Sequence, residues 1–154
     1  MMRKTHLLFT ILVYLLLIRF NVINFSILGF VVILAATLIP DIDAETSKLG
    51  RKIKPISQSF RHRGFFHSIL FGVLMTGIFY YANSGLYLEF LIGYFSHLLL
   101  DLLNYKTVQL FWPFRTKTKG FIKTNGFVEK LLMFIFLVVD VGLVLLILLY
   151  SLLT

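Results

Sequence analysis

His97 and Asp101 stand four residues apart in Tyr94-Phe95-Ser96-His97-Leu98-Leu99-Leu100-Asp101, a spacing that puts both on one face of a helix. An imidazole and a carboxylate on a shared face can bind one divalent metal. Alternatively, the carboxylate can orient a ligating histidine through its other ring nitrogen. A buried His–Asp pair that only locks helices together is an equally good reading. Asp41-Ile42-Asp43 follows Pro40 and suits a turn, where two carboxylates could bracket a cation. Left unpaired near an apolar boundary they would repel each other, and a solvated loop cap is the alternative.

Arg61-His62-Arg63-Gly64-Phe65-Phe66-His67-Ser68 joins a basic stretch to the start of a helix. His67, expected in the first helical turn, is the stronger ligand candidate. His62 could touch substrate, support a ligand or be solvated, and Ser68 could cap the helix. Arg63, with Arg51, Lys52 and Arg61, could bind a phosphate or an anionic headgroup, for which arginine's planar fork is suited. A solvated, topology-setting role is the alternative for each. The chain has no cysteine, so disulfides, thiolate metal sites and cysteine nucleophiles are excluded. Any metal must be held by histidines and carboxylates.

The elements that position these residues follow from composition. Hydrophobic residues make up 58% of the chain and charged ones 14%, against roughly 45–50% and 25% in soluble domains. That balance predicts one membrane-embedded unit over residues 1–154. Five apolar segments can be drawn, at 5–20, 25–39, 65–82, 86–103 and 127–153. The first two fall short of the roughly 20 residues that a crossing needs. They must tilt, thin the bilayer or extend into their flanks. Arg3 and Lys4 precede the first segment as in a signal peptide, but Arg19-Phe20-Asn21 follows in place of a small-residue cleavage site. The segment is therefore expected to stay as a helix. Pro40 stops the second helix, and Gly72 and Gly77 are expected to let neighbouring helices approach. The fold class expected is all-α, a polytopic transmembrane bundle of about five helices.

The two long connections are basic: Lys48, Arg51, Lys52, Lys54, Arg61 and Arg63 in one, Lys106, Arg115, Lys117, Lys119 and Lys123 in the other. An N-terminus in the cytoplasm places both inside, the positive-inside pattern, and puts the C-terminus outside the cell membrane. The net charge of +8 then reads as attraction to anionic membrane lipids, with no nucleic acid partner. This topology delivers His6, Asp41, Asp43, His67, His97 and Asp101 to one membrane depth. Glu89 falls on the outer side, away from that group, and Asp140 in the middle of the fifth segment is given no catalytic role. Phe111-Trp112-Pro113-Phe114 reads as an interfacial aromatic anchor.

Taken in order, Leu38-Ile39-Pro40-Asp41-Ile42-Asp43, Ser47-Lys48-Leu49-Gly50-Arg51, His62-Arg63-Gly64-Phe65-Phe66-His67-Ser68, His97-Leu98-Leu99-Leu100-Asp101 and Trp112-Pro113-Phe114 resemble the membrane-bound, predicted metal-dependent hydrolases. The resemblance spans residues 3–130 or so. It implies a site at His6, Asp41, Asp43, His67, His97 and Asp101, with His62 and Arg63 beside it. The family often has threonine where this chain has Phe66 or Asn104, departures that bear on substrate preference more than on the metal. The implied activity is hydrolysis; a metal-bound water would attack an ester or phosphoester, and the membrane depth of the cluster makes a lipid or lipid-linked substrate attractive. Six ligands leave room for one divalent ion, zinc first, or for two. Asp41 or Asp43 would accept the proton. The competing expectation is a noncatalytic membrane protein stabilised by a His/Asp-bound metal, or a small transporter.

Overall fold

The computed structural model describes residues 1–43, 63–82, 85–114 and 116–153, the Asp43 side chain excepted. Apolar runs that satisfy their own backbone hydrogen bonds fold as helices: α1 (Arg3–Arg19), α2 (Ile27–Leu38), α3 (Ile69–Ala82), α4 (Tyr87–Leu103) and α5 (Phe127–Leu153). Short 3-10 turns lie at Pro40–Asp43 and Phe65–His67. Among the described residues, strand-like pairing is confined to two isolated bridges, Asn104 with Ile122 and Val108 with Thr118. The architecture is all-helical.

Caps set the boundaries. Ser26 Oγ accepts the Gly29 N–H at 3.0 Å and opens α2. The third helix starts later than its apolar run suggests. Ser68 is extended, its Oγ accepts the Phe71 N–H at 3.1 Å, and its hydroxyl donates to the Phe65 carbonyl at 2.7 Å. The helix therefore opens at Ile69, and His67 sits on the preceding 3-10 turn, not in a first helical turn.

Pairwise contacts give the helix directions. Thr10 meets Thr37 at 3.0 Å and Tyr14 meets Ser26, so α1 and α2 run antiparallel. Gly29 lies against Glu89, Gly93 against Ile33, and Thr37 against His97, so α2 and α4 run parallel. Gly72 faces Tyr94 and Phe79 stacks on Phe90, which makes α3 antiparallel to α4. Met2 reaches Glu129, Phe9 packs on Phe136, and Arg19 covers the Tyr150 ring, so α1 and α5 are parallel. Successive helices thus alternate in direction. The starts of α1, α3 and α5 and the ends of α2 and α4 collect at one end of the bundle.

Two glycines allow the closest approaches. A Cβ on Gly93 would collide with the Ile33 carbonyl oxygen, and one on Gly72 with the Tyr94 ring. Gly77, expected to act similarly, has open space around it.

Inside the bundle buried polar side chains mix with an apolar cluster of Ala36, Phe90, Tyr94 and Leu98, while the outside is apolar. The buried positions of α1 are Thr5, His6, Thr10 and Tyr14, whereas Leu137, Val138, Val141, Leu145 and Leu149 of α5 are exposed. Continuous exposed apolar surface of this kind suits lipid, not water. Among the described residues one helix, Phe127–Leu153, is long and apolar enough by itself to cross a membrane, with 27 residues and a mean hydropathy of 3.1. At ~1.5 Å per residue it extends roughly 40 Å, against ~30 Å of hydrocarbon. Ile27–Leu38 and Ile69–Ala82 are shorter apolar helices of 12 and 14 residues.

Candidate metal centre

Four elements bring their polar side chains together at the end where the helix termini collect. His6 comes from the first turn and a half of α1, Asp41 from the turn after α2, His67 from the turn before α3, and His97 and Asp101 from the last two turns of α4. The three imidazoles and Asp101 are buried, and Asp41 retains 24% of its side-chain exposure.

Asp101 is the hub. Its Oδ2 lies 3.5 Å from His67 Nε2 and 3.8 Å from His97 Nε2, with Arg63 Nη2 at 3.5 Å. Its Oδ1 lies 3.5 Å from His6 Nε2, 3.1 Å from the Met1 nitrogen and 3.4 Å from Asn104 Nδ2. Asp41 Oδ1 closes the group at 3.8 Å from His67 Nε2 and 3.9 Å from His97 Nε2.

His97 is held from behind. Its Nδ1–H donates to the Thr37 carbonyl at 2.8 Å, which leaves Nε2 as the basic nitrogen facing the cluster. The Thr37 hydroxyl lies within reach of the Ile33 and Gly93 carbonyls, so the join between α2 and α4 supports this histidine. The His67 turn is held by Tyr94, whose hydroxyl lies 3.0 Å from the Phe66 carbonyl and 2.8 Å from that of Ser68. One helix therefore carries two cluster residues and the clamp on a third.

The donor set suits a divalent cation. His97 Nε2 and Asp101 Oδ2 are buried and accept no hydrogen bond among the described residues, a costly state for lone pairs unless a cation uses them. Imidazole nitrogens with carboxylate oxygens are the ligands of catalytic zinc sites that lack cysteine.

The sequence-derived candidates divide in three. His6, Asp41, His67, His97 and Asp101 meet, and Arg63 stands beside them. His62 and the 47–51 stretch lie outside the described residues, as does the Asp43 side chain, whose backbone continues the turn from Asp41. Glu89 and Asp140 are buried elsewhere: Glu89 opposite Gly29 at the far end of α4, Asp140 about three turns along α5 from Glu129.

Three contributors are not apparent from sequence spacing. Asn104, fully buried, touches Asp101 and accepts from the Lys106 N–H at 3.2 Å and from the Thr124 hydroxyl at 3.3 Å. Glu129 accepts the Met2 and Asn125 N–H groups, each at 2.5 Å, and the Thr5 hydroxyl at 3.3 Å, fastening the start of α1 to the start of α5. The connection from α4 to α5 folds back on the site: Gln109 N–H donates to the Arg63 carbonyl at 3.1 Å and Ile69 N–H to that of Leu110 at 2.9 Å. Arg63 itself has φ of 65°, the left-handed region that side-chain-bearing residues seldom adopt. An asparagine beside the aspartate of His-x-x-x-Asp and an acid in a helix's first turn were the signals available for the first two.

Comparison with known proteins gives a match over residues 1–154 to the family model described as YdjM inner membrane protein. The chain is 38% identical to inner membrane protein YdjM of Escherichia coli (strain K12) over 89 residues, 51% of this chain and 45% of that protein. It is 36% identical to the uncharacterized protein YvsG of Bacillus subtilis (strain 168) over 104 residues, 62% of this chain and 65% of that one. The chain thus covers less than two thirds of either relative. No solved structure matches it.

Proposed function

The chain belongs to the YdjM inner membrane protein family, and from that premise we propose that it is a membrane-embedded, metal-dependent hydrolase acting on a phosphoester or lipid-linked substrate. The observation that carries this reading is the meeting of Asp41, His67, His97 and Asp101 from three elements, with His97 Nε2 and Asp101 Oδ2 buried and accepting no hydrogen bond among the described residues. A divalent cation held there, zinc by donor type, would acidify water and stabilise the negative charge that develops on the attacked ester.

The residues of the chain divide the remaining work. Thr37 fixes the His97 ring through the Nδ1 hydrogen bond. Asp41, the member of the cluster with most contact with solvent, would hold the cation through Oδ1 and could take up a proton from water on its other oxygen, a role that Asp43 could share. The Arg63 guanidinium, beside Asp101, would pair with the anionic part of a phosphoester. Phe65, Phe66, Phe71 and Trp112, packed edge to face with centroids 4.9 to 5.4 Å apart, form an apolar wall next to the His67 turn, suited to the hydrocarbon part of an amphiphile.

All of residues 1–154 act as one unit in this reading. The alternating helix directions and the basic connections support five passes with the N-terminus in the cytoplasm and the C-terminus outside. The chain has no native cysteine, so single cysteines placed at Lys4 and Ser151 should react with an impermeant thiol reagent on opposite faces. Labelling from the same face would overturn the topology.

The decisive assay presents phosphoester, carboxyester and amide substrates, lipid-linked ones included, to purified protein with and without zinc. Metal-dependent turnover that is lost in His97→Ala supports the proposal, and no turnover on any class overturns it. Transport is less favoured, because α2 and α4 meet backbone to backbone at Gly93 and Ile33, which closes the space between these two helices.

A further inference from the structure

The cluster contains more candidate ligands than one ion needs, and their mutual geometry sorts them. Tetrahedral bonds of about 2.0–2.2 Å hold neighbouring donors roughly 3.3–3.6 Å apart. Around Asp101 Oδ2 and Asp41 Oδ1 the separations to the His67 and His97 nitrogens are 3.5, 3.8, 3.8 and 3.9 Å. Asp41, His67 and His97 offer ligand atoms that all lie within 4.8 Å of one another, and Asp101 Oδ2 lies against the same two imidazoles. The His67 and His97 rings are inclined at 66°, so their planes cross and one cation can lie in both.

His6, His97 and Asp101 also offer ligand atoms within 4.8 Å of one another, but the His6 ring is placed differently. Its ring lies on His97 with centroids 3.9 Å apart and planes within 9° of parallel. A metal sits in the plane of the imidazole that binds it, and two stacked planes share no such position. The carboxylate oxygen nearest His6 is Oδ1, which the Met1 nitrogen and Asn104 Nδ2 also approach. Oδ1 is therefore surrounded by hydrogen-bond donors, whereas Oδ2 faces the two inclined imidazoles and Arg63. A second cation on Oδ1 would have to displace those donors.

We infer that the cluster is a one-cation site ligated by Asp41, His67, His97 and Asp101, and that His6 is a positioning residue that orients Asp101 through Oδ1 without binding the metal. This rests on reading the cluster as a metal centre and goes beyond it by naming the ligands among the described residues and the number of ions. Loss of an outer hydrogen bond of this kind lowers metal affinity 10–100-fold without removing the site.

The test uses the full chain in lipid nanodiscs loaded with zinc alone. Elemental analysis should give one zinc per chain, and zinc X-ray absorption should count two imidazoles. His6→Gln should keep one zinc with 10–100-fold weaker affinity, and His67→Gln should lose it. Two zinc ions per chain, three imidazoles, no bound zinc, or a folded His6→Gln as empty as His67→Gln would each overturn the inference. Should either variant fail to fold, the absorption count on the unaltered protein decides. One bound zinc without hydrolysis would sink the proposed activity and leave the site standing; two with hydrolysis would do the reverse.

Discussion

His97 of α4 is fastened to Thr37 of α2 by a 2.8 Å hydrogen bond from Nδ1 to the backbone carbonyl, so its ring is aimed by a helix other than its own. Anything that separates α2 from α4 should disturb the cluster from a distance. Gly93→Ala does so directly, because the new methyl group meets the Ile33 carbonyl. It should cost about 1–3 kcal/mol of stability and weaken zinc binding. Gly77→Ala, with open space around it, should be neutral or stabilising by up to about 1 kcal/mol. Thermal melts and zinc titrations of the pair check the contrast.

Glu129 gathers the Met2 and Asn125 N–H groups and the Thr5 hydroxyl around one buried carboxylate. Glu129→Ala leaves those donors without an acceptor. The expected loss is about 1.5–3 kcal/mol, read as a lower unfolding midpoint in detergent. An unchanged midpoint would mean that the two helix starts are held together by other contacts.

Tyr94→Phe removes the hydroxyl that braces the Phe66 and Ser68 carbonyls while keeping the ring that fills the space beside Gly72. Stability should fall by about 0.5–1.5 kcal/mol. Zinc affinity should fall as well, since the braced turn carries His67. A variant with reduced stability and unaltered affinity would show that the turn holds its shape without the brace.

Arg63→Ala should leave zinc content unchanged and raise KM for anionic substrates more than for neutral ones. Arg63→Gly separates side chain from backbone: it removes the same guanidinium but relieves the left-handed conformation, so it should be the more stable of the two by about 1 kcal/mol. Parallel KM and melting measurements distinguish the effects.

Zinc at about 100 times its dissociation constant should raise folding stability by about 2.7 kcal/mol, and chelation should remove that increment together with turnover. A melting point indifferent to zinc and chelator would argue against a native-state metal site.

Much of the fold is legible in the residues. Pro40 and the five apolar runs mark the helices to within a few positions, and their alternation brings together the helix ends that carry the histidines. The start of α3 is the main departure: Ser68 caps it, and a hydrophobic run cannot reveal that Phe65–His67 forms a separate turn. Gly72 and Gly77 look alike in sequence, yet only Gly72 faces a neighbouring ring. A glycine's role depends on which way its helix is turned.

The sequence by itself determined the available chemistry and the end of the molecule at which it gathers. Without cysteine, only imidazoles and carboxylates can ligate a soft-to-borderline cation, and helices that alternate in direction carry His6, Asp41, His67, His97 and Asp101 to one level. Only the tertiary structure decided which atoms face one another. Periodicity gives the face on which His97 and Asp101 lie, but the rotation of that face is set by the Gly93–Ile33 contact and the Thr37 hydrogen bond. The same packing lays His6 flat on His97 while His67 stands inclined to it. Such ring orientations arise from contacts between elements distant in the chain, which spacing along the chain does not encode.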